Sequence, residues 1–306
     1  MENTSATALQ SLSRDLADAV KQVGAAVVAI NARRHLSSSG VYWRDGIIVT
    51  AAHTLRRTED ISVILAGGQT VAAALAGADP STDLAVIKVD AAGLTPPRFG
   101  DSSQLEVGHV VLAAGRGAER GLNATLGIIG VLSGAWRTWR GGLIDRFIGL
   151  DLELHPGAAG GPLTDAHGRV LGINTSGLSR HMALTVPAST VDRVVGRLLE
   201  TGYIRRGYLG LGMRPIPLPQ DLKSALGLSS DSGLLVVSVE PNGPGGSAGL
   251  LFGDVIAALE GKAIGDMQDL QGLLGPESVG STMPLSVVRG GNLVEVNVTV
   301  GERTPR

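Results

Sequence analysis

Residues 155–163 read H-P-G-A-A-G-G-P-L. Three glycines and two prolines in nine residues make this stretch a turn. Glycine also lets a backbone direct its N–H groups at one point. Short apolar runs flank the turn, Phe147–Leu154 before it and Val170–Ile173 after it. The pattern continues outward through Ala25–Ile30, Ile47–Thr50, Ile61–Leu65, Leu84–Val89, Val110–Ala114, Ala124–Leu132 and Met182–Val186. Many short strands separated by turns predict an all-β barrel or sandwich rather than βαβ units.

Helical spacing occurs at two places in this half. Leu9, Leu12, Leu16, Val20 and Val23 form one stripe over residues 8–23, which predicts a helix packed on its own domain. Val191, Val194, Val195, Leu198 and Leu199 form another over Ser189–Thr201, with Ser189 or Thr190 as cap and Gly202 at the end. Residues Gly202–Pro219, with four glycines, three prolines and the pair Arg205–Arg206, read as a hinge. A mixed α+β domain follows, so the chain divides into residues 1–203 and 204–306. Strands are expected at Gly233–Val239 and Val255–Leu259, and helices at Leu222–Leu228 and Met267–Leu274. Leu285–Val288 and Leu293–Val300 form a hairpin about Gly290 and Gly291.

Composition narrows the chemistry. Hydrophobic residues make up 43% of the 306 positions, but only nine residues are aromatic, so the core must be aliphatic. A net charge of −2 provides no basic field for nucleic acid or an anionic membrane. The absence of cysteine excludes disulfides, thiol catalysis and thiolate-bound zinc. His35, His109, His155, His167 and His181 lack metal-ligand spacing, no phosphate-binding fingerprint is present, and no cofactor is expected. No apolar run spans a bilayer and no signal peptide is visible. As it stands the chain reads as cytoplasmic, or as extracytoplasmic if a leader was removed.

His53 ends I-I-V-T-A-A-H, where small residues leave room for an imidazole. Asp83 precedes an apolar strand in D-P-S-T-D-L-A-V-I-K-V, and Asp79 sits in a turn-forming D-P step. A histidine, a carboxylate to orient it and a glycine loop carrying N–H donors are parts of a serine-hydrolase site.

Taken together, T-A-A-H (50–53), T-D-L-A-V (82–86), F-G-D-S-S-Q-L-E-V-G-H-V-V-L-A-A-G (99–115), H-P-G-A-A-G-G-P-L (155–163) and G-I-N-T (172–175) resemble the HtrA (Deg) proteases. The resemblance implies a mainly β chain, with a chymotrypsin-like double β-barrel followed by a small α+β PDZ domain. It implies His53 as general base, Asp83 as its orienting carboxylate and position 159 as nucleophile. Gly157 and residue 159 would supply the oxyanion hole. Asp151 falls where the family has an aspartate before the loop. Residue 159 is alanine here, however, and has no Oγ. Two explanations compete: deliberate serine-to-alanine replacement, or a natural pseudoprotease. The retention of every other element favours replacement.

The resemblance also gives the remaining expectations. Tyr208, Leu209, Gly210 and Leu211 would bind a peptide carboxylate, with Gly212–Pro215 pairing the peptide as an added strand. Partners would be unfolded polypeptides and C-terminal peptides. Cleavage would need no ATP. Residues Asn174–Ala183, including Ser176, Gly177, Arg180 and Met182, would shape a P1 pocket for small or aliphatic residues. Trp136, Arg137, Trp139, Arg140 and Arg146 would form a surface loop anchored by its tryptophans, in a segment where the family carries regulatory loops. The family assembles as trimers or multiples of them, but residues 1–41 contain no aromatic residue to stitch one.

Overall fold

The computed structural model describes residues 3–33, 36–91 and 93–302, with side chains from residue 7 onward. The chain forms two compact units, Met1–Ile204 and Arg205–Arg306.

The first unit contains two closed six-stranded antiparallel barrels. One runs in the order Val27–Asn31, Ser38–Arg44, Ile47–Ala51, Leu84–Val89, Thr70–Asp79 and Ile61–Ile64. The other runs Phe147–Asp151, Ala183–Pro187, Val170–Thr175, Pro162–Asp165, Val110–Gly117 and Gly121–Ser133. Closure removes the exposed sheet edges. Val28, Ile30, Ile48, Val63 and Ile87 fill the first barrel, and Val111, Ile129, Ile148, Leu163 and Leu171 the second. A third apolar layer includes Val41, Val49, Val86, Ala114, Ile173 and Val186 from both barrels. Each such buried Val, Ile or Leu side chain contributes about 1.5–3 kcal/mol. Trp43 joins this layer and donates its indole N–H to Asp192 at 2.7 Å.

Helix Ala188–Thr201 lays Val191, Val194, Val195 and Leu198 on the shared layer. Gly202, at φ +77°, ends it and donates its N–H to the Leu198 carbonyl. Neither Ser189 nor Thr190 caps its start. The helix begins one residue earlier than the spacing suggested, so both hydroxyls lie inside its first turn. There Ser189 donates to the Asp145 carboxylate, and Thr190 accepts the Asp145 N–H.

Helix Asn3–Gly24 departs from its expected packing. Ala19 and Val23 are buried, whereas Leu9 and Leu12 are 69% and 51% exposed. Among the described side chains burial is confined to the C-terminal turns, so the apolar stripe outruns the surface available in a single copy. Ser38–Arg44 and Thr70–Asp79 are strands that the apolar pattern did not mark: half of the second is alanine, and the first opens on Ser38, Ser39 and Gly40, leaving only the short run Val41–Trp43. The run expected over Phe147–Leu154 leaves its ladder at Asp151.

In the second unit, strands follow the order Leu211–Pro217, Ser232–Val239, Val255–Leu259, Thr282–Arg289 and Asn292–Thr299. The short Lys262–Ala263 strand pairs alongside Val255–Leu259. Leu234, Val236, Ile256, Leu259, Leu285, Val287 and Val298 form the core with Leu270 of helix Met267–Leu273. Asp266 and Asp269 form a reciprocal capping box at the start of that helix. Gly290 and Gly291 make the two-residue turn of the last hairpin, both at positive φ. Much of the expected hinge is structured: Gly207–Tyr208 pairs with Gly301–Glu302, and Leu211–Pro217 is an edge strand.

Candidate active site

The buried strand Ile47–Ala51 runs into a single 3₁₀ turn, Ala52–Thr54. This turn carries His53 out of the barrel, leaving its side chain one-third exposed. Asp83 sits just before strand Leu84–Val89 with φ +57°, a left-handed conformation that aspartate tolerates better than most residues. Its neighbours hold it there. The Asp83 carbonyl accepts the Ala52 N–H at 3.0 Å, and its Oδ1 accepts the His53 N–H at 2.7 Å. His53 Nδ1 lies 2.7 Å from Asp83 Oδ2. The Thr175 hydroxyl donates to the same oxygen. Asp79 does not reach His53; it accepts hydrogen bonds from Ser81 and Thr82 within its own turn.

This geometry fixes the imidazole. With Nδ1–H donating to Asp83, Nε2 is left as an acceptor facing away from the carboxylate. Gly177 packs against the pair so closely that a Cβ there would fall 2.7 Å from both Asp83 Oδ2 and His53 Nδ1.

Both barrels hold the glycine loop. Gly160 donates its N–H to the Asn174 carbonyl, and Asn174 donates its own to the Gly161 carbonyl, each at 2.8 Å. From the other barrel, Ser39 donates its N–H to the Ala159 carbonyl at 3.2 Å and its hydroxyl to the Gly157 carbonyl at 2.8 Å. Gly160, at φ +87°, approaches Ser39 so closely that a Cβ would lie 2.3 Å from its carbonyl oxygen. Among the described residues, the N–H groups of Gly157 and Ala159 find no protein acceptor.

His53, Gly157, Ala159, Ser176 and Met182 line one open cleft of about 1200 Å³. Arg180 and Asp151 line it too, whereas Gly177 serves the His53–Asp83 pair instead. Glu153 and Arg33 are charged lining residues that the sequence reading did not single out. Burial, with the Arg56 charge, pulls the Arg33 guanidinium below its ordinary value, and its Nε–H donates to the Thr54 carbonyl. The sequence reading also missed Thr175 and Ser176 as neighbours of the pair. Their hydroxyls directly after G-I-N were the available signal. Ser176 Oγ lies 3.4 Å from His53 Nε2.

Of the other histidines, His155 and His181 line the cleft. His109 accepts the Glu106 N–H at the surface, and His35 lies outside the described residues. Among the described residues no cluster of three His, Asp or Glu side chains could hold a metal ion. No helix among them is long and apolar enough to cross a membrane. The two tryptophans in the 136–140 segment differ in burial. Trp136 packs edge-on against Phe147, whereas Trp139 is 69% exposed beneath the Arg140 guanidinium. The buried anchor between them is Thr138.

In the second unit, Gly210 has φ +70°, and its carbonyl accepts the Glu240 N–H. Leu209 is buried, and its carbonyl accepts the Gly245 N–H at 2.7 Å. The Tyr208 hydroxyl donates to the Glu240 carboxylate. Among the described residues, strand Leu211–Pro217 pairs only with Ser232–Val239, which leaves its other edge open. Pro215 and Pro217 have no N–H, so the donors on this strand are concentrated at its start.

The comparisons agree with this architecture. A family model described as trypsin-like peptidase domain matches residues 38–173, and one described as PDZ domain matches residues 207–300. A probable periplasmic serine endoprotease, DegP-like, from Brucella suis is 36% identical over 274 residues, covering 86% of this chain and 52% of that protein. The chain thus spans about half the length of the curated relatives it matches. The solved HtrA-type protease AlgW with a tripeptide is 31% identical, with a TM-score of 0.74, 95% of this chain covered and 98% of that one. Its serine-to-alanine form with a tripeptide is 32% identical, with a TM-score of 0.77 and the same coverages. With two closed barrels, a His53–Asp83 pair beside a glycine loop and a following PDZ domain, this chain belongs to the HtrA family of trypsin-like peptidases carrying one PDZ domain.

Proposed function

We propose that this chain has the site of an ATP-independent serine endopeptidase for unfolded or misfolded polypeptides, lacking only its nucleophile. The observation that carries the reading is His53 Nδ1 at 2.7 Å from Asp83, with the free N–H groups of Gly157 and Ala159 in the same cleft. His53 would act as general base, Asp83 would orient it, and the two N–H groups would hold the oxyanion. A serine at position 159 would attack the carbonyl and pass its proton to Nε2. Alanine cannot do so, and the retained pair and loop favour replacement of a serine. The test is digestion of denatured casein by the Ala159→Ser form, with digestion supporting the reading and its absence opposing it.

Ala159 itself favours a second reading, a natural pseudoprotease that binds polypeptides as a chaperone or scaffold. In both readings the loop Tyr208–Leu211 captures a terminal carboxylate and the open edge of Leu211–Pro217 pairs with the peptide. The proposed P1 preference is for small or aliphatic residues, and dominant cleavage after basic residues in a denatured proteome would refute it.

The proposed assembly is a homotrimer, or a multiple of one, in the periplasm, the compartment named for the DegP-like relatives. Leu9 and Leu12, exposed on helix Asn3–Gly24, give it an aliphatic contact in place of aromatic ones. Light scattering is expected to give three times the 31.3 kDa chain mass or a multiple of that, and a monodisperse monomer would refute the trimer.

A further inference from the structure

Ser176, read above only as a P1-pocket residue, carries a hydroxyl to which the peptidase scheme gives no chemical step. Its Oγ lies 3.4 Å from His53 Nε2, the nitrogen left open by the Asp83 contact. The residue is exposed and lines the cleft that holds Gly157 and Ala159. Its backbone position is set with the nucleophile loop, because Asn174, two residues earlier, exchanges hydrogen bonds with Gly160 and Gly161 at 2.8 Å. Thr175 and Ser176 divide between the two ends of the pair: one hydroxyl is on the Asp83 carboxylate, the other beside Nε2.

A general base needs a hydroxyl within about 2.6–3.2 Å, and resting sites are often somewhat looser than that. The 3.4 Å separation requires only a small closing movement, and no hydroxyl at position 159 competes for Nε2.

We propose that Ser176 is an alternative nucleophile, activated by His53, that gives this alanine-bearing chain slow acyl-transfer activity toward esters with good leaving groups. The proposal rests on the reading of His53 and Asp83 as a base and its orienting group. Ser176 Oγ attacks the ester carbonyl while its proton passes to Nε2. The tetrahedral adduct expels the alkoxide, which takes that proton, leaving an ester on Ser176. Water then attacks the ester, giving its proton to Nε2. Collapse returns the proton to Ser176 Oγ, releases the acid and restores the site. A fluorophosphonate follows the first half of this path, with fluoride as leaving group and a stable phosphonyl ester on Oγ.

The experiment is fluorophosphonate labelling of the full chain, with the modified residue identified by peptide mass spectrometry. Ser176→Ala, His53→Ala, Asp83→Asn and Ala159→Ser forms are treated in parallel, each checked for folding by circular dichroism. Labelling at Ser176 is expected, falling at least tenfold in the His53→Ala and Asp83→Asn forms. The Ala159→Ser form is expected to take the label at residue 159. No label on Ser176 overturns the proposal, as does a label that persists without His53. If the Ala159→Ser form still reacts at residue 159, only the role of Ser176 has failed. If that form is also inert, the base assignment has failed with it.

Discussion

The Thr138 hydroxyl donates to the Ser81 carbonyl at 2.6 Å, tying the 136–144 hairpin to the turn that ends at Asp83. Thr138 is buried, and its oxygen also accepts the N–H of Gly142 at 3.1 Å. Ser81 in turn donates its N–H to Asp79 at 3.0 Å. Thr138 thus acts on the site through the backbone that places Asp83. Losing this hydrogen bond costs about 1 kcal/mol. In the Ala159→Ser background, Thr138→Val is expected to lower kcat several-fold with little change in KM. Thr138→Ser is expected to restore it. Steady-state kinetics on a peptide ester distinguishes this from a general loss of folded protein.

Gly177 makes a second close contact with the pair. An added methyl would meet Asp83 and His53 at 2.7 Å, below any ordinary carbon contact, so the imidazole or the carboxylate must move. Gly177→Ala is expected to break the 2.7 Å His53–Asp83 hydrogen bond and lower kcat/KM at least 100-fold in the Ala159→Ser form. The low-field imidazole N–H resonance in the proton spectrum reports the same bond in the chain as it stands and should disappear.

The proposed carboxylate capture by the second unit would depend on Gly210, whose φ of +70° turns the backbone of the Tyr208–Leu211 loop. Peptides with a free C-terminus are expected to bind at least tenfold more tightly than their amides, measured by fluorescence polarisation. Gly210→Val should remove that difference. Because Pro215 interrupts the donors of the edge strand, lengthening a peptide beyond about four residues should add little affinity.

Asp254 is buried in the second unit and accepts two bonds from Arg289, at 2.8 and 2.7 Å. Burial alone would raise its carboxyl. Hydrogen bonds from Arg289 and the Leu251 N–H, with the Arg289 charge, outweigh that and hold it below the ordinary value. A depressed carboxyl stabilises the fold above its unfolded value near 4, and the contribution is lost as pH falls through the folded value. Arg289 is one-third exposed, so Arg289→Ala should cost about 2–3 kcal/mol, less than a fully buried pair. Amide exchange in strands Ser232–Val239 and Val255–Leu259 should show this loss at pH 7, and it should shrink below about pH 4.

The sequence carried the double barrel because most of its strands are runs of Val, Ile and Leu between glycine turns. Where alanine dominates a strand, as in Thr70–Asp79, or its apolar run is as short as Val41–Trp43 in Ser38–Arg44, side-chain hydrophobicity carries little signal and pairing with neighbours defines the strand. His53, Asp83 and the glycine loop were legible as local motifs. Thr138 and Gly177 were not, because their contacts cross 57 and 124 residues of chain. The stripe from Leu9 to Val23 gave the helix but not its burial, since periodicity marks an apolar face without saying what covers it.

The most direct test compares casein hydrolysis by four forms of the full chain: as it stands, Ala159→Ser, Ala159→Ser with His53→Ala, and Ala159→Ser with Asp83→Asn. The Ala159→Ser form is expected to cleave at least 1000-fold faster than the chain as it stands, and each second substitution should remove most of that gain. A folded Ala159→Ser form that fails to cleave casein, with or without a peptide for the PDZ domain, would contradict the reading of this cleft as a peptidase site lacking only its hydroxyl.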